Sequence, residues 1–314
     1  MNFIGIDIGG TKISIGLFNG QKSLITKIKI QTDTTLDPDT FNNKIISAIN
    51  FLLETTSVSK ADIHGIGIGC PSTIDPKTGI INNTTNIPAL SNFNLKSFYE
   101  KAFKCKVVVD NDANLAALAE HRQGAGIGFS NMVYCTASTG IGGGLILNNN
   151  IFHGSNGFAG EIGHCILTPN DGVMCSCGNQ GCIESYASGA HLTKHIKRRI
   201  ENGEKTIMTQ MTDIDDIDGI ILNKAYRQND KMAIELLNQI GKHIGILLFN
   251  IYQILNVDCY VIGGGLMVGF GDELLNKIQN QFFSFNRVNN DPVYIYPAKL
   301  KEDFGIIGAC EALF

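Results

Sequence analysis

Two segments of the chain have the same construction, and they constrain the fold more than any other feature. Each places a turn rich in threonine and glycine between two runs of β-branched and apolar residues. The first is FIGIDIGGTKISIGLFNG (residues 3–20) and the second is NMVYCTASTGIGGGLILNNNIF (residues 131–152). This pattern predicts a strand, a tight turn and a second strand. The repetition indicates a duplicated architecture with a phosphate-binding hairpin in each half, although any glycine-rich hairpin resembles any other.

The remaining segments alternate between strand and helix patterns. KSLITKIKIQT predicts a third strand, and FNNKIISAINFLLETT has apolar residues at helical spacing. IHGIGIGC and KVVVDND then predict strands, and LKSFYEKAF and ANLAALAEHR predict helices. In the second half, residues 189–256 are mainly helical, and DCYVIGGG and GDELLNKIQNQFF predict a strand and a helix. An apolar stripe at helical spacing from Leu237 to Leu255 is typical of core packing, and a dimer interface is the alternative.

The length of 314 residues and the hydrophobic fraction of 44% suit two α/β domains. We predict an N-terminal α/β domain over residues 1–123 and a larger α/β domain over 124–302. The net charge of −4 and the lack of a basic patch argue against a nucleic-acid partner. No signal peptide is recognisable, and the most apolar stretch is too short to span a bilayer. We expect a cytoplasmic protein with no membrane partner, whose cysteines are reduced.

The two hairpin turns carry the candidate phosphate sites. In DIGGTK the adjacent glycines let backbone N–H groups approach an anion, and Thr11 and Lys12 add a hydroxyl and a charge. Asp7, at the strand end, can hold a metal-bound water. STGIGGG (residues 138–144) is the matching loop, and the two loops would hold a polyphosphate from both sides. A glycine-rich turn without a ligand is the alternative.

A carboxylate follows the strand in VVDNDANLAALAE. Asp112 stands where strand becomes helix, at the edge of an α/β sheet where ligands collect. An ionised carboxylate there can orient a hydroxyl nucleophile and accept its proton in a phosphoryl transfer. Asn111 beside it can bind hydroxyl groups. The alternative is that Asp112 only caps the helix.

Residues 164–184, HCILTPNDGVMCSCGNQGCIE, contain a candidate zinc site. One nitrogen and three thiolates form a full tetrahedral set with no open position, which is typical of structural zinc. The predicted ligands are His164, Cys175, Cys177 and Cys182. Glu161 and Glu184 flank this set, so a bound zinc would fix both carboxylates for sugar binding. The alternatives are coincidental thiols and plain surface charge.

These motifs together resemble the ROK family of sugar kinases and sugar-responsive repressors. DIGGTK, DNDANLAALAE, STGIGGGLIL, GEIGH, CSCGNQGCIESYASG and VIGGGL stand in the family's order, and the likeness covers nearly the whole chain. The resemblance implies an actin-like, ribonuclease-H-like ATPase fold, with two α/β domains and a cleft between them. It also implies that GIIGACEALF belongs to a helix, over about 303–314, that returns to the first domain and completes it.

The resemblance implies a role for each site. Asp112 would be the base toward a sugar 6-hydroxyl, with ATP and Mg²⁺ as cofactors. The sugar hydroxyls would be held by Asn111, Glu161, His164 and Glu184. His164 would use one ring nitrogen for structural zinc and the other for sugar. The ATP phosphates would lie at Gly9, Gly10, Thr11, Thr139 and Gly140, and adenosine at Gly264 and Gly265.

The substrate is implied least firmly, because the chain departs from the family where the sugar's C1–C3 side would lie. Ser72 and Thr73 follow a proline that family members often follow with glycine, and Thr85 and Asn86 border the same side. The serine of STGIGGG resembles N-acetylmannosamine kinases, whereas family glucokinases frequently have GTGIGGG. We therefore favour N-acetylmannosamine over glucose and N-acetylglucosamine as the acceptor.

Two other functions are compatible with a ROK-like chain. A repressor of the family would carry a DNA-binding helix-turn-helix before the ATPase-like half, but here the first phosphate loop begins at Asp7. A catalytically silent sugar-binding protein would not need Asp112 together with both phosphate loops. Dimers are common in the family, so we expect a homodimer.

Overall fold

The computed structural model describes residues 1–75, 77–82, 84, 87–170, 172–286 and 292–314, so the predicted sugar residues Thr85 and Asn86 lie outside the described residues. The strands are β1 (Asn2–Ile8), β2 (Lys12–Asn19), β3 (Leu24–Gln31), β4 (Ile63–Cys70), β5 (Lys106–Asn111), β6 (Met132–Ala137), β7 (Ile141–Leu147), β8 (Asn150–Ile151), β9 (Cys259–Gly263) and β10 (Tyr294–Pro297).

The α-helices lie between and after these strands. They are α1 (Pro38–Thr55), α2 (Leu95–Phe103), α3 (Asp112–Gln123), α4 (Glu184–Ala187), α5 (Gly189–Glu201), α6 (Gly219–Arg227), α7 (Lys231–Leu255), α8 (Gly265–Phe270), α9 (Asp272–Phe283) and α10 (Phe304–Glu311). In the part of the chain that the structure describes, no helix has both the length and the apolar character needed to cross a bilayer.

The two sheets have the same topology, which confirms the predicted duplication. The first has the strand order β3-β2-β1-β4-β5, and the second has the order β8-β7-β6-β9-β10. In both, the outer hairpin is antiparallel and the last two strands run parallel to the first. Antiparallel hairpins joined to parallel crossover strands make this a mixed α/β architecture.

The chain folds as two compact units. The first comprises residues 1–130, 144–160 and 299–314, and the second comprises residues 131–143 and 161–298. β7 begins in the second unit and ends in the first, because the boundary falls between residues 143 and 144.

The core of the first unit lies on both faces of its sheet. β1 and β4 are buried almost throughout, as expected for strands covered by helices on each side. α10 lies so close to this sheet that a Cβ at Gly67 would collide with the backbone carbonyl of Ala309. Residues 299–314, which include α10, belong to the first unit, and glycine at position 67 permits the close approach.

The long helix α7 forms much of the second unit's core, where it packs against α9. The predicted stripe is buried at Leu237, Ile240, Ile244, Leu247, Leu248 and Ile251. Its apolar residues therefore serve the core of this chain. α8 and β10 were not predicted from the sequence: α8 begins inside the glycine run after β9, and β10 has only four residues.

Candidate active site

In the first unit, three neighbouring strands bring candidate residues to one edge of the sheet. Asp7 on β1 pairs with Gly69 on β4, and Cys70 on β4 pairs with Asn111 on β5. These strands are parallel, so their carboxyl ends lie side by side at the edge where α/β proteins bind ligands. The sheet thus places Asp7 on the same edge as Asn111, which Asp112 follows directly.

The first hairpin turn is held by backbone hydrogen bonds and presents an exposed tip. The backbone N–H of Gly9 donates to the carbonyl oxygen of Lys12 at 3.0 Å. The Thr32 hydroxyl donates to the carbonyl oxygen of Gly9 at 2.7 Å. Gly10, Thr11 and Lys12 are exposed, and a Cβ at Gly10 would meet nothing within 4 Å. This open tip leaves room for an anion beside the backbone.

Electrostatics at this edge depend on two carboxyl groups and one ammonium group. Burial and, to a smaller extent, the charge of Asp112 raise the pKa of Asp7, Lys12 opposes the rise, and the resulting pKa is about 6. A second anion nearby therefore disfavours ionisation of Asp7 in the ligand-free protein. A cation bound at this edge would relieve the repulsion between the two carboxylates.

The raised pKa of Asp7 predicts a pH-dependent effect on stability. The folded chain disfavours the ionised carboxylate, so Asp7 lowers the free energy of unfolding, and this effect is complete above pH 6. The effect disappears as the pH falls toward 3.8, the ordinary pKa of an aspartate. We expect Asp7→Asn to stabilise the protein by about 3 kcal/mol at pH 7.5, with a gain that shrinks toward pH 4. Urea unfolding across this range measures it. Asp62→Asn, which changes an exposed carboxyl of the same unit, is the control; an equal or pH-independent gain would contradict the prediction.

The turn between β5 and α3 holds Asn111 and Asp112 in defined positions. The helix cap is Asn111, whose Oδ1 accepts hydrogen bonds from the backbone N–H groups of Ala113 and Asn114 at 2.8 and 3.3 Å. Its Nδ2 donates to the carbonyl oxygen of Ser72 at 3.1 Å. The cap is therefore Asn111, and Asp112 is the first residue of the helix. Ser72, a predicted sugar residue, is thereby brought to Asn111.

In the second unit, the second hairpin turn is held by a carboxylate. Glu184 accepts a hydrogen bond from the backbone N–H of Ile141 at 3.1 Å. A Cβ at Gly140 would lie 2.9 Å from the same carboxylate oxygen. Gly140, predicted to bind phosphate, therefore lies beside Glu184, predicted to bind sugar. The sequence did not indicate this contact.

A cavity of about 620 Å³ lies within the second unit, beside this hairpin. Its volume is in the range of small-molecule sites. The lining residues are Ser138, Thr139, Gly189, Ala190, Asp218, Gly219, Ile220, Asn223, Lys224, Gly265, Leu266 and Gly269. Thr139 and Gly265 were predicted to contact the nucleotide. The contributions of α5 and α6 were missed, because short segments such as DGIILNK carry no recognisable motif.

Gly265, which lines this cavity, and its chain neighbour Gly264 predict contrasting effects of alanine. Gly264 has φ +91°, and its Cβ would collide with the Ala137 carbonyl oxygen, whereas a Cβ at Gly265 would lie 3.5 Å from Ser138 Oγ in ordinary contact. We expect Gly264→Ala to destabilise the protein by about 2 kcal/mol. Gly265→Ala should leave the melting temperature unchanged, because the added methyl enters the cavity. Thermal unfolding distinguishes the two variants; a shared loss of stability would contradict the prediction.

The candidate zinc residues come together in the second unit as predicted. One ligand atom from each of His164, Cys175, Cys177 and Cys182 lies within 4.8 Å of the others. The Cys175 N–H donates to the Asn179 carbonyl oxygen at 2.8 Å, and the Gly178 N–H donates to the Cys175 carbonyl oxygen at 3.0 Å. These bonds close a tight knuckle, in which Gly178 has φ +90°.

The spacing of these atoms fits a tetrahedral zinc ion. Two sulfurs that are each about 2.3 Å from such an ion lie about 3.8 Å apart. The Cys177 and Cys182 sulfurs are 3.7 Å apart, and Cys175 Sγ is 3.7 Å from His164 Nδ1. His164 Nε2 points elsewhere, to within 3.8 Å of a Glu161 carboxylate oxygen. The two ring nitrogens of His164 therefore face the thiols and Glu161 respectively.

Comparisons with known proteins give one consistent result. The model of the ROK family matches residues 3–313. The glucokinase of Halalkalibacterium halodurans is 35% identical over 312 residues, which span 98% of this chain and 93% of that protein. The N-acetylmannosamine kinase of Escherichia coli is 28% identical, over 98% and 96%. The crystal structure of a ROK family glucokinase from Streptomyces griseus, in complex with glucose and AMPPNP, superposes with a TM-score of 0.82 at 30% identity, over 99% of both chains.

Proposed function

The chain belongs to the ROK family and is a sugar kinase with the actin-like ATPase fold, and on that premise we propose that it transfers the γ-phosphoryl group of ATP to the 6-hydroxyl of a hexose. The observation that carries the proposal is the placement of Asp112 directly after the strand edge that also bears Asp7 and the cap residue Asn111.

In the first unit, Asp112 is the general base. Its position at the N-terminus of α3 favours the ionised carboxylate, which can accept the proton of the attacking hydroxyl. Asn111, held to the Ser72 carbonyl oxygen, orients a sugar hydroxyl, and Ser72 and Thr73 border the sugar. The exposed turn with Gly9, Gly10, Thr11 and Lys12 holds phosphate oxygens.

Asp7 is the residue of this unit that we assign to magnesium. Magnesium, when bound with ATP, neutralises charge on the phosphate oxygens of the transferring group. Asp7 would hold the magnesium ion through a water. The raised pKa of this carboxyl is consistent with that role, because a nearby cation would stabilise the ionised form.

In the second unit, the cavity of about 620 Å³ takes the nucleotide. Thr139 and Gly140 hold phosphate oxygens, and Gly264 and Gly265 lie against adenosine. Lys224 is the cation among the described lining residues, and it supplies a charge for a phosphate or a donor for ribose.

The zinc knuckle organises the sugar-binding carboxylates of the same unit. His164 stands in the ligand set and faces Glu161, and Glu184 lies two residues after Cys182. We assign Glu161, His164 and Glu184 to the sugar hydroxyls, with the structural zinc fixing their backbone.

Glucose is the proposed acceptor, and N-acetylmannosamine is the alternative. Ser138, the residue that favoured N-acetylmannosamine, lines the nucleotide cavity beside Thr139 and Gly265. Its identity therefore bears on the phosphoryl donor rather than on the sugar. The sequence identities also favour glucose, because the chain is 35% identical to the glucokinase and 28% identical to the N-acetylmannosamine kinase.

An acceptor panel tests this proposal. ADP release is measured with ATP and Mg²⁺ against glucose, mannose, N-acetylglucosamine, N-acetylmannosamine and fructose. We expect the highest kcat/KM with glucose. A higher kcat/KM with N-acetylmannosamine would change the proposed acceptor and leave the kinase assignment in place. No ADP release with any sugar would favour a sugar-responsive regulator.

A further inference from the structure

A buried carboxylate lies directly before the catalytic turn of the first unit, and the proposed chemistry does not use it. Asp110 is 6% exposed and occupies the second-last position of β5. His153, which follows β8 in the same unit, places its Nε2 2.7 Å from Asp110 Oδ2. A polar group this deeply buried requires hydrogen-bond partners, so the function of this pair depends on which other groups are bonded to the carboxyl of Asp110.

The other oxygen of Asp110 is bonded to residues on both sides of Asp112. Asp110 Oδ1 accepts a hydrogen bond from the backbone N–H of Asn111 at 2.7 Å. It also accepts one from the side-chain Nδ2 of Asn114 at 2.9 Å. One donor thus precedes Asp112 in the chain and the other follows it by two residues. A shift of the Asp110 carboxylate would be transmitted to both flanks of Asp112.

His153 is itself anchored by its backbone. Its carbonyl oxygen accepts a hydrogen bond from the Ala159 N–H at 3.1 Å, which closes the loop after β8. The hydrogen bond with Asp110 raises the pKa of His153, and burial acts in the opposite direction. The imidazole therefore presents a proton to the carboxylate from a fixed backbone position.

We propose that His153 is a positioning residue for phosphoryl transfer: it holds the Asp110 carboxylate, which in turn fixes the turn that carries Asp112. This inference rests on the proposed role of Asp112 as general base. His153 would act through geometry alone, because small displacements of a catalytic group reduce the rate while ground-state binding is retained.

Steady-state kinetics of five variants, including Asp112→Asn and its double variant with His153→Ala, test the proposal. We expect His153→Ala to lower kcat by about 10- to 100-fold with little change in the KM for the sugar. His153→Gln, which offers an amide N–H near the Nε2 position, should restore most of kcat. His64→Ala, which removes an exposed histidine of the same unit, should match wild type. In an Asp112→Asn background, His153→Ala should cause no further loss, because the group that it positions is gone.

Three results would overturn the proposal. They are an unchanged kcat in His153→Ala, parallel losses in kcat and sugar affinity that glutamine does not rescue, and a full additional loss in the Asp112→Asn background. If the wild-type protein phosphorylates sugar and only the His153 variants behave otherwise than expected, this inference fails alone. A wild-type protein that is inactive on every sugar would remove the proposed function and this inference together.

Discussion

Asp112→Asn is expected to lower kcat by about 10²- to 10⁴-fold, the usual contribution of a positioned general base. The amide keeps the size of the side chain and cannot accept the proton of the attacking hydroxyl. Sugar binding should persist, because Asn111 keeps its hydrogen bonds to the helix N-terminus and to the Ser72 carbonyl oxygen. Single-turnover kinetics measure the chemical step, and calorimetric titration measures the sugar affinity.

The matched control is Asp39→Asn. Asp39 is an exposed carboxyl in the first turn of α1, and Asp112 is a partly exposed carboxyl in the first turn of α3. Asp39→Asn should leave kcat unchanged, because no role in binding or catalysis is assigned to Asp39. Turnover retained in Asp112→Asn would show that another group accepts the proton.

Cys182→Ser is expected to remove bound zinc and to weaken sugar binding on the order of tenfold or more, with a smaller effect on ATP. Cys182 is fully buried, its sulfur lies 3.7 Å from Cys177 Sγ, and Glu184 follows it by two residues. Loss of one of four thiolate or imidazole ligands opens the knuckle that positions Glu161 and Glu184. Chelation of zinc from the wild-type protein should reproduce the same pattern.

The control is Cys165→Ser, which changes an exposed thiol next to His164 that lies outside the ligand set. Metal analysis of each variant, with sugar and ATP titrations, makes the comparison. Equal losses in sugar and ATP affinity would mean that the metal stabilises the whole unit. A wild-type protein without zinc would contradict the site itself.

The sequence predicted the features that depend on local patterns. Both hairpins and the strand-to-helix turn at Asp112 follow from apolar periodicity and glycine placement, and the structure has them. The zinc set was also predictable, because four ligands within 19 residues, from His164 to Cys182, can meet only through a tight knuckle. Each of these is determined by residues that lie close together in the chain.

The features that the sequence did not predict depend on distant segments. Asp218 and Lys224 reach the cavity from α6, while Ser138 and Gly265 come from segments about 80 and 45 residues away in the chain. The pairing of His153 with Asp110 joins positions 43 residues apart. No spacing rule connects such residues, because tertiary packing alone brings them together.

The measurement that tests the central claim most directly is identification of the product by NMR. The protein is incubated with ATP, Mg²⁺ and glucose, and the ³¹P and ¹H spectra locate the new phosphate ester. We expect glucose 6-phosphate together with one equivalent of ADP, and no phosphate ester with 6-deoxyglucose, which lacks the accepting hydroxyl. A phosphate on another carbon, or ATP consumed without any sugar phosphate, would contradict the account.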